Sequence, residues 1–579
     1  MRTGAQRATR RIPVAVLAAI VVVIMTTPAA DAAVQGRTRN YVVVYKQGVT
    51  LANAKRAVRA IGGRVVSAQP AVRAMLVRSS RTHFRRAAFR SRLLKGAVLN
   101  QVIGRATPRK PDPIERAGRG DGGVTVSEPP SGLTEPLAGW QWDMRMIGAT
   151  PEGSYGTELG SKDVIVAVID TGIDASHPDI APNFNKGLSR NWTTDIPSID
   201  GPCEEPSCVD PNDVDQDGHG THVAGTIASP INGLGMAGVA PNVTLVNDRA
   251  GQDSGSFFLD ETVHALVYAA QIGADVANMS FYTDPWQYNC PGSHPAVSPD
   301  TGEPADSPEQ QREQELVLNL VQNAVDYAVA HGVTLVAAAG NDHNDLDGSK
   351  TDTTSPDYPA GNERVRVVSD WCRDMPTEAD GVISVSSVGP SGAKADYSNY
   401  GAGAESGGAG DDPAGEIDVA APGGYFGDLF GTPDYRLPQN EILGPYPLAV
   451  ARAAHDVDAA GNPTSASVVR DCSGESGCAY YQLIQGTSMA SPHAAGVAAL
   501  IVSKYGTPDP VHGGLTMDPG AVRERLRATA SDHDCPDPAT VDYTTIGDPA
   551  TWDATCEGTL DYNGFYGDGI VDAQAAVGG

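Results

Sequence analysis

The stretch VIVAVIDTGID, from Val164 to Asp174, decides the fold class of this chain. Its first six residues are apolar and mostly β-branched, and the run stops abruptly at Asp170. That pattern is typical of a strand buried on both faces of a parallel sheet. Open α/β sheets place their ligands at the carboxyl ends of such strands. The sequence therefore predicts an α/β domain with a central, mostly parallel sheet and with Asp170 at its functional edge.

Two later segments each place a reactive side chain beside a glycine-containing turn. The segment DGHGTHVAGTIAS carries His219, and the segment GTSMASPHAAGVAAL carries Ser488. Each residue is predicted to open a helix of small residues, the second with Pro492 in its first turn. A hydroxyl is a poor nucleophile at neutral pH, so Ser488 needs a base such as His219. A carboxylate such as Asp170 would orient that imidazole, which indicates serine hydrolase chemistry.

The three residues occur along the chain in the order Asp, His, Ser, and all three segments closely match motifs of the subtilisin-like serine peptidases. The chain therefore resembles that family, subtilase family S8, of the secreted bacterial type. The resemblance covers about Trp140 to Gly579, with insertions. It implies a three-layer catalytic domain, preceded by a small α+β propeptide, and endopeptidase activity on protein or peptide substrates. A catalytically silent binding protein with the same fold is the alternative, since fold alone does not fix function.

The resemblance also implies roles beyond the triad. The stretch VTLVAAAGN is predicted to be another buried strand, and its Asn341 matches the subtilase residue that donates to the oxyanion. Ser280 and Gly340 are the candidate substrate contacts. Phe281 and Tyr282 follow Ser280 where subtilases typically have Leu-Gly-Gly, so the usual broad apolar pocket is not assumed.

Two rival chemistries fit the sequence less well. Asp170 and Asp300 each begin an Asp-Thr-Gly triplet, as in a carboxylate dyad, but Asp300 lies in a stretch rich in proline and acid that is predicted to be a loop. The dyad would also leave His219 and Ser488 unexplained. His222 follows His219 at a spacing that a zinc pair could use, but no third ligand accompanies it, so we predict a buried, hydrogen-bonded helix residue.

The N-terminus carries the features of an exported precursor. Arginines precede an apolar run from Ile12 to Met25, and an A-x-A-like site predicts cleavage after Ala32. The protein is therefore predicted to be secreted and not to associate with a membrane after signal removal. The predicted boundaries are signal peptide 1–32, propeptide 33–105, linker with the processing site 106–137 and catalytic domain 138–579.

Charge divides the chain sharply although the formal net charge is −28. Residues 34–111 contain 18 Lys plus Arg and no Asp or Glu, whereas residues 120–579 contain 18 Lys plus Arg and 67 Asp plus Glu. A basic segment can indicate nucleic-acid binding. Its position between a signal peptide and an acidic protease favours a propeptide that acts as an intramolecular inhibitor, and no nucleic acid is expected.

Eight cysteines in an exported protein are expected to pair. The simplest scheme joins nearest neighbours: 203 with 208, 290 with 372, 472 with 478, and 535 with 556. No cofactor is needed for the predicted chemistry. Structural calcium is a hypothesis without assigned ligands, because the EF-hand-like start at Asp213 has Ala224 rather than Glu at its twelfth position. The segments 284–311, 342–377 and 425–482 are predicted to be surface insertions.

Overall fold

The computed structural model describes residues 38–100, 135–357, 363–401, 416–474 and 477–578. The predicted signal peptide, most of the linker and the processing site lie outside the described residues. The first described range is a small α+β unit with the elements β1 (Arg39–Tyr45), α1 (Leu51–Ala60), β2 (Arg64–Val65), β3 (Ala74–Ser79), α2 (Phe84–Phe89) and β4 (Leu94–Leu99).

The small unit is an antiparallel sheet with the strand order β2-β3-β1-β4. Side chains alternate between the two faces of a strand, and β1 shows this directly. Tyr41, Val43 and Tyr45 pack in a cluster with α1 and α2, whereas Val42 and Val44 join the core of the larger unit. The small sheet therefore buries both faces, one of them against the rest of the chain.

The larger unit contains the remaining described elements. Its helices are α3 (Trp142–Met146), α4 (His219–Ala228), α5 (Leu259–Gln271), α6 (Pro308–Ala330), α7 (Leu448–Ala453), α8 (Thr487–Tyr505), α9 (Pro519–Ala528) and α10 (Ala573–Val577). Its strands are β5 (Ile165–Ile169), β6 (Arg190–Asn191), β7 (Thr244–Arg249), β8 (Val276–Met279), β9 (Tyr288–Asn289), β10 (Thr334–Ala338), β11 (Lys350–Asp352), β12 (Arg366–Val368), β13 (Arg373–Asp374), β14 (Val382–Val388), β15 (Val419–Pro422), β16 (Ile442–Pro445), β17 (Val468–Asp471), β18 (Ala479–Ile484), β19 (Thr507–Pro508), β20 (Leu515–Thr516), β21 (Thr540–Val541) and β22 (Ala554–Thr555).

The core of the larger unit is a seven-stranded parallel sheet with the order β15-β14-β10-β8-β5-β7-β6. Helices α4 and α8 cover one face, where Val166 and Val168 of β5 lie buried. Helices α5 and α6 cover the other face, where Ala167 and Ile169 lie. The prediction of a three-layer α/β fold with a central parallel sheet is confirmed. Because β5 is buried on both faces, its sequence is a continuous apolar run.

The two units meet along α5 and α6. Gly96 of β4 lies so close to α6 that a Cβ atom there would be 2.5 Å from Cδ1 of Leu316. Arg85 of α2 pairs with Glu309 at 3.2 Å and also with Glu313. The basic small unit therefore contacts the acidic larger unit through both apolar surface and opposite charge.

One sequence prediction about the elements is wrong. Segment 425–482 was expected to be a surface insertion, but it supplies the sheet β16-β18-β17, which packs against α4. Leu443, Tyr481 and Leu483 from this sheet are buried. All four predicted disulfides are confirmed. Among the described residues, no helix is both long and apolar enough to cross a bilayer.

Candidate active site

Asp170 lies at the carboxyl end of β5, fully buried. Its Oδ1 accepts a hydrogen bond from the backbone N–H of Thr171 at 2.7 Å and lies 2.8 Å from Nδ1 of His219. A carboxylate that accepts from Nδ1–H fixes the imidazole in the tautomer whose Nε2 carries the lone pair. The structure thus joins two of the residues that the sequence singled out, 49 positions apart.

His219 is the first residue of α4, and two glycines permit its approach to Asp170. Gly218, the residue before the helix, has φ of 102°, a left-handed conformation that favours glycine. A Cβ atom on Gly220 would lie 2.2 Å from the carbonyl oxygen of Gly172 and 3.0 Å from Cβ of Asp170. Any side chain at Gly220 would therefore force the helix away from β5.

Asp215 holds the turn before α4 in place. Its carboxylate accepts hydrogen bonds from the backbone N–H groups of Asp217, Gly218 and Thr221 and from the hydroxyls of Thr171 and Thr221. A negative charge at the N-terminus of a helix is also favoured by the helix dipole. Sequence analysis did not single out Asp215, although its position four residues before His219 was visible.

Ser488 is the second residue of α8 and lines a cleft of about 250 Å³ that His219, Ser280, Gly340 and Asn341 also line. Its Oγ lies 3.4 Å from the carbonyl oxygen of Ser280. The first backbone N–H groups of a helix have no partner within it, so this end of α8 offers donors to an anion. The cleft therefore contains a hydroxyl, an imidazole and an electropositive helix end.

Pro492 lies in the second turn of α8, not in the first turn as predicted, because the helix begins at Thr487. A proline at this position cannot donate to the carbonyl of Ser488, four residues earlier. That carbonyl instead accepts from the hydroxyl of Ser280 at 3.1 Å. The carbonyl of Ser488, which has no intrahelical donor, thus connects the first turn of α8 to the residue that follows β8.

Asn341 follows β10 and is oriented by Thr487. Its Oδ1 accepts from the backbone N–H of Thr487 at 2.9 Å and from the Thr487 hydroxyl at 2.8 Å. Both groups are donors toward this atom, which identifies it as the amide oxygen. The amide nitrogen is therefore the part of the Asn341 side chain that can donate a hydrogen bond in the cleft.

The two candidate substrate contacts also line the cleft, but much of their polar capacity is used. The Ser280 hydroxyl contacts the Ser488 carbonyl and the hydroxyl of Ser491, the latter at 2.8 Å. The N–H of Gly340 donates to the hydroxyl of Thr487 at 3.0 Å. Both residues therefore shape the cleft wall, and neither of these donors is free for a substrate.

Two acid–base features near His219 bear on its role. Burial and the neighbouring charge of Asp215 raise the pKa of Asp217 to about 7. Burial lowers the pKa of His222 to about 3, and its Nε2 contacts the carbonyl oxygen of Ile442 at 3.1 Å. The prediction that His222 is a buried, hydrogen-bonded helix residue is confirmed. Asp300, the second carboxylate of the rival dyad, lies in an exposed turn.

A group of carboxylates outside the cleft has the composition of a cation site. Four carboxylate oxygens lie within 4.8 Å of one another, one each from Asp195, Glu204, Asp210 and Asp253. Asp195 is 5% exposed and neither of its oxygens has a hydrogen-bond partner among the described residues. Burial, with the charge of Asp210, raises its pKa to about 6. Arg249 contacts Asp210 at 3.2 Å and offsets one of the four charges. Oxygen donors of this kind suit calcium.

Comparison with known proteins gives the chain a family context. A model of the Subtilase family matches residues 161–555. Subtilisin DY from Bacillus licheniformis is 28% identical over 418 residues, which cover 72% of this chain and 90% of that protein. The halolysin-like extracellular serine protease Nep from Natrialba magadii is 30% identical over 400 residues, 69% of this chain and 49% of Nep.

A solved structure shares the fold over nearly the whole chain. It is the epidermin leader peptide processing serine protease EpiP from Staphylococcus aureus, with a TM-score of 0.59 and 21% identity. The alignment covers 94% of this chain and 98% of EpiP. The architecture described above is therefore that of a known fold.

Proposed function

This chain belongs to the subtilase family and is a serine-type endopeptidase, and from that premise we propose that Asp170, His219 and Ser488 are its catalytic triad. We also propose that the protein is made as a self-processing, secreted zymogen. The observation that carries the proposal is the 2.8 Å contact between His219 Nδ1 and the buried carboxylate of Asp170, on the cleft that Ser488 lines. That contact leaves Nε2 of His219 as the base.

Each residue then has a defined task. His219 takes the proton of Ser488 as its Oγ attacks the peptide carbonyl, and Asp170 stabilises the imidazolium that forms. The backbone N–H of Ser488 and the amide nitrogen of Asn341 donate to the oxyanion. The imidazolium then protonates the leaving amine. Water next attacks the acyl-enzyme and gives its proton to His219, and the imidazolium returns that proton to the Ser488 Oγ as the carbon–Oγ bond breaks.

The small unit is proposed to be the inhibitory propeptide. Three contacts support this in addition to the Arg85 pairs. Lys95 donates to Asn319 at 2.7 Å, Arg73 to Asn323 at 3.3 Å, and Asn100 to Glu261 at 3.2 Å. Asn100 ends the described part of the small unit, and its side chain also accepts from the N–H of Asp260 at 3.0 Å. Secretion is proposed from the signal-like N-terminus.

A structural calcium ion is proposed at Asp195, Glu204, Asp210 and Asp253. The unpartnered, buried carboxylate of Asp195 supports it, because an isolated buried charge is costly unless a cation compensates it. Calcium there would stabilise the loop before α4 and take no part in the reaction.

The experiment that tests the proposal is the intact mass of exported wild-type protein beside Ser488→Ala, with Ser503→Ala on the same helix as the matched control. We expect the wild type and Ser503→Ala to lose the basic N-terminal segment and Ser488→Ala to keep it. If all three chains stay full length, self-processing is wrong and the silent binding protein gains support. If all three are shortened, a separate protease performs the cleavage.

A further inference from the structure

Three chain segments enclose one end of the cleft beside Ser488. One carries Ser280, the second carries Asn341, and the third runs from Asp374 to Thr377. The hydroxyl of Thr377 donates to the carbonyl of Ala338 at 2.7 Å, and the N–H of Thr283 donates to the carbonyl of Met375 at 2.8 Å. These bonds hold Asp374 between the other two segments.

Asp374 is a buried carboxylate that lines the cleft. It is 3% exposed, and its Oδ1 has no hydrogen-bond partner among the described residues. It lies on β13, which pairs with β9 next to the disulfide between Cys290 and Cys372, so its backbone is fixed. Burial, together with the charges of Glu378 and Asp342, raises its pKa well above the usual range.

The cations near Asp374 are engaged elsewhere. Lys350 donates to the carbonyl of Leu346 at 2.7 Å and lies 5.1 Å from the ring centroid of Tyr288. Arg373 pairs with Asp380 at 3.0 Å. Among the described residues Asp374 has no ion-pair partner, although the charge of Lys350 partly opposes the rise in its pKa.

The large side chains after Ser280 are also held by partners. Phe281 stacks on Phe257 with ring centroids 4.0 Å apart, and the hydroxyl of Tyr282 donates to Asp357 at 2.9 Å. Both line the cleft as walls. Asp342 lines the same end and accepts from Gln287. The pocket therefore has aromatic sides and acidic groups within it.

We propose that this end of the cleft binds the side chain of an arginine or lysine immediately before the scissile bond, with Asp374 as its counter-charge and Asp342 as a second carboxylate. The inference rests on the serine-peptidase function proposed above. A guanidinium supplies both the positive charge and the N–H donors that a buried carboxylate requires, and its flat face suits aromatic walls. The linker offers such residues for self-processing, at Arg109, Lys110, Arg116 and Arg119.

The test compares two peptide substrates that differ only before the scissile bond, in arginine or in citrulline. Citrulline has nearly the same shape without the charge. We expect kcat/KM of the mature wild type to be at least about 100-fold higher for arginine, because a guanidinium pairs with the ionised carboxylate of Asp374 whereas citrulline brings no counter-charge. Asp374→Asn should reduce the ratio to below about 10-fold. Asp326→Asn, an exposed change on α6, should leave the ratio unchanged.

Active-site titration with a fluorophosphonate distinguishes failure of the basic-residue proposal from failure of the proposed catalytic function. Labelling of the wild type together with equal cleavage of both peptides would overturn the basic-residue proposal and leave the catalytic function standing. Retention of the full preference in a titratable Asp374→Asn would also overturn it. Absence of both labelling and cleavage would instead contradict the proposed catalytic function itself. Should Asp374→Asn fail to fold, the wild-type ratio decides: about 100-fold supports the proposal, and a ratio near one contradicts it.

Discussion

Thr487 uses its backbone N–H and its hydroxyl to hold one atom, the Oδ1 of Asn341. The hydroxyl also accepts from the N–H of Gly340 at 3.0 Å. The residue before the proposed nucleophile thus positions the proposed oxyanion donor. Such an arrangement places the amide before any charge develops, which is how preorganised donors lower a barrier.

Replacing Asn341 should therefore act on turnover rather than on binding. Asn341→Leu is expected to lower kcat by about 10² to 10³ with little change in KM, because the oxyanion exists only beyond the ground state. Thr487→Val, which loses one of the two bonds to Oδ1, should lower kcat less. Steady-state kinetics with a peptide substrate measures both. Thr529→Val, at the residue that caps the C-terminus of α9, is the matched control, and a rise in KM alone would contradict the assignment.

Asp217 gives a prediction about pH. Its Oδ1 accepts from the backbone N–H of His219 at 3.1 Å, and a negative charge on Asp217 and a positive charge on His219 stabilise each other. Asp217→Asn removes that charge, so the pKa of His219 should fall. The acidic limb of the kcat/KM profile should then move to lower pH. Asp213→Asn, the same change at a residue paired with Lys186, is the control. A shift to higher pH would contradict the argument.

At this scale the sequence pointed to the residues that we propose as the triad but not to the residues that orient them. Asp170, His219 and Ser488 stand at ends of apolar or small-residue runs, and such positions are readable from pattern. Asp215 acts through contacts with five donors that converge only in the folded chain. The sequence also gave no sign that Asp374 approaches the cleft, because β9 and β13, which fix it, are short and lie far apart in the chain.

Among the elements, α4 depends most visibly on one side chain. Removing Asp215 leaves five donors without their acceptor at the helix start, so Asp215→Ala should lower the free energy of unfolding by about 3 kcal/mol. Urea unfolding in the Ser488→Ala background measures this without self-digestion. Asp213→Ala is the control. A loss of less than about 0.5 kcal/mol, in the range of ordinary surface changes, would show that Asp215 does not anchor the helix.

The loop before α4 supplies the test of calcium. If the ion binds Asp195 and its neighbours, EDTA should lower the melting temperature of the Ser488→Ala protein by about 5 °C, since a ligand bound only to the folded state stabilises it. Asp195→Asn added to that background should abolish most of the EDTA effect. An unchanged melting temperature after EDTA treatment would argue against the site.

The sheet β16-β18-β17 shows why some elements escaped prediction. Ile442 pairs with Ile484 and Leu443 with Leu483, so the strands that meet lie far apart along the chain. The residues between them are rich in turn formers and acid, which favoured a loop interpretation. The strand β5 and the helices α4 and α8 were predictable because their own periodicity carries the signal.

At the scale of the whole molecule, the charge division has a structural counterpart. The basic small unit contacts α5 and α6 of the acidic unit, and Arg85 lies between Glu309 and Glu313. Opposite charge across an interface speeds association and adds specificity, and salt screens it. The domain boundaries themselves remain predictions.

The propeptide role can be tested with residues 33–105 added in trans to mature enzyme. Arg85→Glu should raise the inhibition constant at least about 10-fold, because it places like charges together. Arg59→Glu makes the same charge change on an exposed part of α1 and should have little effect. Inhibition by the wild-type segment should also weaken with added salt. Equal inhibition by both variants would show that Arg85 does not contribute.

The most direct test of the proposed triad is the stoichiometry and position of fluorophosphonate labelling on the mature protein, read by peptide mass. We predict about one label per chain, on Ser488, with none on His219→Ala, since the reagent requires a serine activated by its base. Absence of label from correctly folded wild type, or a label on another serine, would contradict the assignment of Asp170, His219 and Ser488 as a working triad.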